Sequence, residues 1–490
     1  MGQAWGRGWD YRPAGLRYPP RSMAVPAQPA ATDQRAGLVR GLGLFEATTL
    51  IVGSVIGSGI FVAPSIMAGY VQTPGLLLGL WVLGGILTLF GALAYGEMAA
   101  ALPRAGGQYV FLKEAFGPLW GFLYGWTLLI AINTGFIAAV AVAFAKYLGV
   151  FVPAIGEGTV LFAVGRFSFS TAQAVALVVI ASLTWINITG LRTGAVVQNV
   201  FTVAKVAAVA VLVVIAIASG RGSADHFKPL LGAALGPEGL KIGLFAALGV
   251  AMSKALFAYD AWNSVTFAAE EIREPERNLP RALMLGTLGI MVVYCAAVAV
   301  YLYMVPIQEM YAIKDNRIAS EAAQRMMGPA GAAFIAIAIM VSTFGCVNGL
   351  ILAGARVLFA MGRDRLFFRR MADVHPTYRT PVPALLLQGA VAVGLTLTGT
   401  YSDLLTLSAF ASLLFNTLTV IALFVLRRKR PDLPRPYRAW GYPVLPALYV
   451  LVSVFFLYNI LVGDPRNSGM GLVLSAAGLI GYAFWRRPGT

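Results

Sequence analysis

The sequence predicts an all-α membrane protein, and three observations lead to that class. The chain of 490 residues is 58% hydrophobic and only 12% charged, about half the charged fraction of a typical soluble domain. Its apolar residues gather in runs of about 20, the length that crosses the hydrocarbon core of a bilayer. The runs lack period-two alternation, which excludes a transmembrane barrel. Lipid is therefore the solvent that most of this chain faces.

About twelve helical spans can be placed along the chain. They are expected near residues 44–69, 75–101, 119–150, 172–189, 196–218, 241–268, 283–303, 331–358, 384–398, 404–426, 445–461 and 471–484. Residues 1–40 are rich in Arg, Pro and Gly and lack the apolar core of a signal peptide, which predicts a flexible cytoplasmic tail. Met23 is an alternative start of the chain.

The basic residues follow the connections between the predicted spans. Lys and Arg concentrate at both chain ends and in the segments 103–118, 190–194, 270–281, 356–379 and 427–438. The net charge of +16 therefore reflects the positive-inside rule, and no nucleic-acid partner is expected. The pattern predicts a multi-pass protein of the cell membrane with both termini in the cytoplasm.

Two spans are interrupted near their centres, the first around Gly57 and Gly59 and the sixth around Asp260. The interrupted spans lie five apart, as expected for two five-helix halves that repeat with inverted topology. The first half would cover residues 41–220 and the second half residues 240–428. The two additional helices would lie in residues 443–485. Paired interruptions in corresponding positions of two halves point to the substrate site of a transporter.

At the first interruption, glycine lets the helix unwind at low steric cost. The half-helix that begins near Ile60 would then direct unpaired N–H groups into the protein, which suits a carboxylate. Carbonyl groups released from the preceding half, up to Val55, can receive an ammonium group. The alternative is an intact helix whose Gly53 and Gly57 form a packing face. The matching break in the sixth span favours a binding site for a zwitterion.

At the second interruption, Asp260 places a carboxylate deep in the predicted span. Such a group costs several kcal/mol unless it faces a cavity or a partner. Asp260 can accept the ammonium group of a substrate, pair with Lys254, or cap the second half-helix. Phe257 and Tyr259 either close over a ligand or simply pack.

Lys205 lies roughly 13 Å inside its predicted span at helical rise, too deep for its ammonium group to reach the interface readily. Lysines within a membrane usually mark ion or proton pathways. Lys254 is similarly deep, but it adjoins a break that can admit water. Lys205 is therefore the preferred coupling residue.

Four motifs, in order along the chain, resemble those of the amino acid, polyamine and organocation transporter superfamily. They are Gly57-Ser58-Gly59-Ile60-Phe61, Leu102-Pro103-Arg104-Ala105-Gly106-Gly107-Gln108-Tyr109, Phe257-Ala258-Tyr259-Asp260-Ala261-Trp262-Asn263 with the charged segment 270–281, and the segment 428–437. The third motif is similar to the L-type amino acid transporter branch. The resemblance covers residues 41–484 and implies a twelve-helix, leucine-transporter-like fold with alternating access.

The resemblance also implies roles for single residues. The implied substrate site comprises Val55, Gly57, Ser58, Gly59, Ile60, Phe257, Ala258 and Asp260. Within it, Ser58 and Gly59 would meet the carboxylate, and the carbonyl groups of Val55, Phe257 and Ala258 would meet the amino group. The Phe257 ring would act as the outer gate. Lys205 matches the lysine of helix five that takes the place of a sodium ion and would brace that helix against both breaks. Sodium-independent exchange or proton symport follows from this match.

Two features depart from the L-type branch. Its mammalian members bind a heavy chain through a cysteine in the loop after helix three, and residues 149–170 contain no cysteine. No disulfide-linked heavy chain is therefore expected. Asp260 stands where several relatives carry glycine, so a preference for large neutral side chains does not follow. A polyamine or another organic cation is the alternative substrate.

Other classes of function fit the sequence less well. A channel needs a continuous pore lined by repeated polar positions, and the spans offer none. An intramembrane enzyme needs a nucleophile with a base, or a metal cluster. His226 and His375 fall in predicted loops, and the two cysteines, Cys295 and Cys346, form neither a disulfide framework nor a zinc site. The sequence predicts an amino acid carrier that is not an enzyme, with no metal and no cofactor.

Overall fold

Helices form nearly all of the regular structure of the protein. The computed structural model describes residues 37–164, 167–230, 232, 234–313, 317–398 and 401–485. The first helices are α1 Leu44–Val55, α2 Gly59–Ala68, α3 Pro74–Ala101, α4 Gln108–Phe116, α5 Pro118–Thr127, α6 Asn133–Leu148, α7 Thr171–Ile188, α8 Leu191–Ala218 and α9 Pro237–Ile242. The others are α10 Leu244–Ala258, α11 Pro275–Met304, α12 Ile307–Met310, α13 Ile318–Met327, α14 Pro329–Arg363, α15 Val382–Thr398, α16 Tyr401–Lys429, α17 Val444–Gly463 and α18 Pro465–Trp485.

Within the described residues, nine helices are long and apolar enough to cross a membrane, or ten if the bent pair α1 and α2 is one span. The predicted class, an all-α multi-pass membrane protein, is confirmed. Two shorter apolar helices, α10 with 15 residues and α15 with 17, lie at the predicted sixth and ninth spans. The count of twelve spans and the inverted repeat stay predictions. Residues 1–36 of the predicted tail lie outside the described part of the chain.

The two faces of α8 show how the sequence places a lysine in the interior. Its buried residues recur every three or four positions, at Gln198, Thr202, Lys205, Val209, Leu212 and Ala216. The opposite face exposes Val196, Val200, Val203, Val211, Val214 and Ile217. Because successive turns of a helix present the same face, the apolar residues face lipid while Lys205 faces the neighbouring helices.

The helices α11 and α14 connect the two interrupted spans to the rest of the bundle. α11 packs along α3 and α1, and α14 packs against α1, α6 and α8. A π-helix at Leu128–Ile132 joins α5 to α6, and 3₁₀ helices lie at Ala224–Phe227, Ser264–Glu271 and Arg369–Ala372. The ends of α1 and α10 therefore meet in the interior, between α11 on one side and α14 and α6 on the other.

An unpredicted β-hairpin follows α6. Strands Val160–Val164 and Phe167–Ser170 pair antiparallel, with Phe162 opposite Phe169. Ser170 ends the hairpin and caps α7, because its side chain accepts a hydrogen bond from the backbone amide of Gln173. The segment 149–170, which contains no cysteine, thus ends in a hairpin that leads directly into α7.

The loop between α3 and α4 holds the second half of the sixth span in place. Gly106 and Gly107 have φ of 98° and 41°, values that glycine adopts without strain. The amide of Gly106 donates to the carbonyl of Phe267 at 2.8 Å. A β-carbon on Gly107 would lie 2.3 Å from Thr266 Oγ1. The two glycines therefore let this loop lie directly on the 3₁₀ helix Ser264–Glu271.

Candidate functional site

The first interruption separates α1 from α2. α1 ends at Val55, α2 begins at Gly59, and the two helices differ in direction by 43°. Ser58 occupies the cap position of α2, and its side chain makes no capping hydrogen bond to the start of this helix. The first amides of a helix lack partners within the helix and carry its positive dipole end. The start of α2 therefore offers donors and partial positive charge to an anion.

The second interruption begins where α10 ends, at Ala258. A turn follows, in which Ala261 has a φ of 71°, and the chain continues as the 3₁₀ helix Ser264–Glu271. The second half of this span is thus shorter and more tightly wound than a half-helix of α type. Asn263 precedes that helix, so Asp260 does not cap it.

Tyr294 of α11 bridges the two interruptions. Its hydroxyl oxygen lies 2.8 Å from the carbonyl oxygen of Ala258 and 3.1 Å from that of Val55. Both carbonyls were predicted to receive the amino group of a substrate. The Val55 oxygen also accepts from the amide of Gly57 at 2.8 Å. A carbonyl oxygen has two lone pairs and a hydroxyl has one proton, so each oxygen can accept one further donor when Tyr294 donates to Ala258. The carbonyl of Phe257 accepts from the amide of Asp260 at 3.2 Å.

The carboxylate of Asp260 is bound by its own turn and by α16. Its Oδ1 atom accepts from the amide of Ala261 at 2.8 Å and from the Ser412 hydroxyl at 3.0 Å. The Asn416 amide lies 3.5 Å away. Among the described residues, no ion pair joins Asp260 to Lys254. The predicted deep carboxylate therefore has polar partners, but they come from α16.

Lys205 fastens α8 to the first interruption. Its Nζ donates to the carbonyl oxygens of Gly53 at 2.9 Å, Ile56 at 2.7 Å and Ser342 at 2.8 Å. An ammonium group has three donors, and all three are used. The expectation that Lys205 braces both interruptions is corrected, because its contacts reach the first interruption and α14 but not the second. Ser342 adds to this link, with its hydroxyl 2.8 Å from the Ile56 oxygen.

A small cavity lies where the two interruptions meet. Seven predicted site residues line it, namely Val55, Gly57, Ser58, Gly59, Phe257, Ala258 and Asp260. Ile60, the eighth, is buried beside them with 1% exposure. Lys205 does not line the cavity and acts on it through the carbonyls that it binds.

Sequence reasoning missed the remaining walls of the cavity. Ser54 and Ala261, each beside a predicted site residue, also line it. Phe136 and Val140 of α6 and Cys346 and Leu350 of α14 complete it, and they are ordinary apolar residues in apolar helices, so no local signal marks them. Tyr294 was missed for the same reason, although a tyrosine in an apolar span indicates a hydroxyl that needs a partner.

Phe257 separates the small cavity from a larger one. The larger cavity holds about 1180 Å³ of empty space and is partly open to solvent. Gly59 and Phe257 line both cavities. The larger cavity extends along α2 to Tyr70 and Asp464, at the end of the molecule away from the start of α1.

Charged pairs join the helices at the other end, where α1 begins. The amide of Gly41 donates to the carbonyl of Glu271 at 2.9 Å. The guanidinium group of Arg356 binds the Glu271 carboxylate at 2.7 Å, and both side chains are buried. Around this pair lie the partly exposed pairs Arg363–Glu270 at 2.8 Å and Lys113–Asp364 at 2.5 Å.

Comparison with known proteins gives consistent relatives along nearly the whole chain. A family model described as amino acid permease matches residues 42–484. The chain is 31% identical over 448 residues to the serine/threonine exchanger SteT of Bacillus subtilis (strain 168), which covers 91% of this chain and 97% of that protein. It is 32% identical over 466 residues to the large neutral amino acids transporter small subunit 2 of Homo sapiens, with coverage of 94% and 84%.

A third relative is the b(0,+)-type amino acid transporter 1 of Mus musculus. It is 30% identical over 406 residues, which are 82% of this chain and 79% of that protein. The family model and the relatives agree with the resemblance that the four motifs indicated. The chain belongs to the amino acid permease family, within the amino acid, polyamine and organocation superfamily.

Proposed function

We propose that this protein carries amino acids across a membrane by alternating access. The observation that carries the proposal is the meeting of two interrupted spans at one cavity, which brings together the start of α2 and the carbonyl groups of Val55 and Ala258. This arrangement is complementary to the carboxylate and the ammonium group of a zwitterion. The named relatives, which include amino acid transporters and an exchanger, support the same activity.

Backbone N–H and C=O groups make most of the contacts that recognise the substrate. The substrate carboxylate binds at the start of α2, around Ser58 and Gly59, where the helix dipole favours negative charge. The ammonium group donates to the Ala258 oxygen beside the Tyr294 hydroxyl and to the Val55 oxygen beside the Gly57 amide. Because both sets of contacts are made to groups that every amino acid shares, the side chain is selected by the rest of the cavity, including Asp260.

Lys205 supplies the positive charge that holds the first interruption together. Its ammonium group sits among three carbonyl oxygens, the type of ligand that a sodium ion would otherwise take. We therefore infer that transport does not require sodium. A neutral amine has only two N–H donors and would leave one carbonyl without its partner, which favours a lysine that stays charged and a protein that works as an exchanger. Proton symport is the second candidate.

The two ends of the molecule differ in the way that one state of an alternating-access cycle requires. A large cavity reaches Phe257 from one end, and ion pairs tie the helices together at the other. With both termini in the cytoplasm, as the distribution of Lys and Arg predicts, the large cavity opens to the outside. Phe257 is then the gate between this cavity and the substrate.

The human relative is named a small subunit, which raises the question of a second chain. The hairpin segment 149–170 of this protein contains no cysteine, so a disulfide to a partner cannot form there. We propose that the protein transports without a disulfide-linked partner. Activity of the purified chain alone is the direct test.

The experiment uses the purified full chain in proteoliposomes. Binding of each of the twenty common L-amino acids is first screened by thermal shift, and uptake of those that bind is measured without sodium. Two conditions are compared, an inward proton gradient and vesicles preloaded with unlabelled substrate. Uptake that needs preloading supports exchange, and uptake that follows the gradient supports proton symport. A strict sodium requirement would contradict the role given to Lys205.

The decarboxylated amines of the same amino acids test the alternative substrate class. They retain the ammonium group but cannot occupy the start of α2, so they should compete poorly for uptake. Strong uptake of these amines or of polyamines would show that the carboxylate contact is not used. The protein would then be an organic-cation transporter of the same superfamily.

A further inference from the structure

The larger cavity contains two opposite charges that the proposed substrate site does not use. Lys254 lies on α10, one turn before Phe257, and Asp464 lies between α17 and α18. Both line the cavity, together with the neutral polar residues Ser253 and Asn459. In the described part of the chain, no ion pair or hydrogen bond occupies the ammonium group of Lys254.

Asp464 has a structural role that leaves capacity for a ligand. It caps α18, because its carboxylate accepts from the backbone amide of Asn467 at 3.1 Å and from the Asn467 side chain at 2.9 Å. A carboxylate offers about four acceptor positions, and capping uses two of them. The cavity therefore presents a positive group and a negative group on different helices, both with unused hydrogen-bonding capacity.

An ammonium group this deep in a membrane protein usually lies on the path of an ion or a substrate. We propose that the larger cavity is a second, weaker binding site for zwitterionic amino acids, in which Lys254 holds the carboxylate and Asp464 attracts the ammonium group. The inference rests on the proposed transport function. Because Gly59 and Phe257 line both cavities, a carboxylate released by Lys254 reaches the start of α2 once the Phe257 ring moves.

A capture site in front of a gate predicts a specific kinetic effect. It raises the local concentration of substrate at the gate, so its loss should raise the half-saturating concentration and leave the maximal rate unchanged. The test is initial uptake of each of the twenty common L-amino acids into proteoliposomes by the full chain and by Lys254→Gln. We expect Lys254→Gln to raise the half-saturating concentration about fivefold, since electrostatic capture changes association by tenfold or more at low salt.

Three further variants separate capture from structure. Lys254→Arg keeps the charge and should have the half-saturating concentration of the wild type. Asp464→Asn keeps the cap, because Asn caps a helix about as well as Asp, and should raise the half-saturating concentration to a smaller extent. Lys241→Gln is the matched control, since this exposed lysine of α9 pairs with Glu238 and lies outside the cavity.

Salt gives an independent readout. The half-saturating concentrations of the wild type and Lys254→Gln should become more similar between about 50 mM and about 500 mM salt, because the Debye length falls severalfold. Equal kinetics of the wild type and Lys254→Gln at both salt concentrations would overturn the second site and leave transport intact. A lower maximal rate in both Lys254→Gln and Lys254→Arg would assign Lys254 a structural role. That result would also overturn the second site. If the wild type takes up no amino acid, the proposed function fails, and the second site with it.

Discussion

Gly59 faces Ala258 so closely that a β-carbon on Gly59 would lie 3.0 Å from the β-carbon of Ala258 and 3.1 Å from its α-carbon. The start of α2 and the end of α10 are therefore in direct contact, and the contact includes backbone that cannot rotate away. Any side chain at position 59 must separate the two interruptions. The geometry of the proposed site consequently depends on the absence of a single side chain.

Gly59→Val should reduce uptake roughly a hundredfold, because a displacement of about 1 Å at a binding site has effects of that size. The variant should still insert and fold, which size-exclusion chromatography in detergent checks. Gly79→Val is the matched control, since a β-carbon on this glycine of α3 meets nothing within 4 Å. Normal uptake by Gly59→Val would show that the site lies elsewhere.

Phe257→Ala should weaken transport severalfold with little change in thermal stability, because the ring borders two cavities and is only half-buried. Phe267→Ala should instead lower the thermal stability and leave uptake per folded molecule nearly unchanged. Phe267 is 3% exposed and packs against Tyr124, so its truncation should cost about 3–5 kcal/mol of stability. Uptake per folded molecule and melting temperature are measured for both. Matching losses of uptake per folded molecule would remove the argument for a gate.

Tyr294→Phe should lower the affinity for substrate, because it removes the hydroxyl that fixes the Val55 and Ala258 carbonyls relative to each other. The expected loss of stability is about 0.5–1.5 kcal/mol. Tyr301→Phe is a strict control on the same helix, since the buried Tyr301 hydroxyl has no hydrogen-bond partner among the described residues. Binding isotherms of the two variants should differ; indistinguishable isotherms would mean that the bridge has no part in recognition.

Lys205→Ala should cripple transport, because the carbonyl oxygens of Gly53, Ile56 and Ser342 lose the ammonium group that joins them. A hydrogen bond from a charged group contributes about 1.5–3 kcal/mol, so the variant should also melt at a lower temperature. Lys241→Ala, at an exposed site, should change neither property. The decisive measurement is uptake by Lys205→Ala with and without added sodium. Recovery of uptake in sodium would indicate that the ammonium group takes the place of a cation.

Glu271→Gln should destabilise the protein by about 3–5 kcal/mol, the usual consequence of leaving one partner of a buried ion pair uncompensated. Arg356 and Glu271 have side-chain exposures of 1% and 0%. Asp225→Asn removes a partner from the exposed pair Lys228–Asp225, and exposed pairs contribute about 0–1 kcal/mol. Thermal denaturation of the two variants should therefore differ clearly. Replacing Glu271 and Arg356 together by Met should recover most of the lost stability.

The sequence predicted those parts of the site that carry a local signal. Gly57 and Gly59 mark a place where a helix can open, and Lys205 is conspicuous because a cation in an apolar span needs a partner. Both predictions concern what a segment can do by itself. The fold class follows in the same way, since the length and polarity of each run decide whether it crosses a bilayer.

The contacts between segments could not be predicted. Lys205 is 137 residues away from Ser342 in the sequence, and nothing in either segment indicates that they meet. The α16 partners of Asp260 are unpredictable for the same reason, because Ser412 and Asn416 read as ordinary polar residues of an apolar helix. The 3₁₀ form of Ser264–Glu271 depends on the loop that contains Gly107, which is a tertiary contact and not a local preference.

The two ends of the proposed transport path are closed by contacts of different physical kinds. Arg363–Glu270 and Lys113–Asp364 are partly exposed ion pairs, which added salt weakens, whereas the Phe257 ring responds little to salt. Ionic strength therefore acts on one barrier and not on the other. A salt titration should shift the resting population towards molecules open at the charged end, measurable as increased labelling of a cysteine introduced at Ala360, and this gives experimenters a way to enrich the opposite state without any ligand.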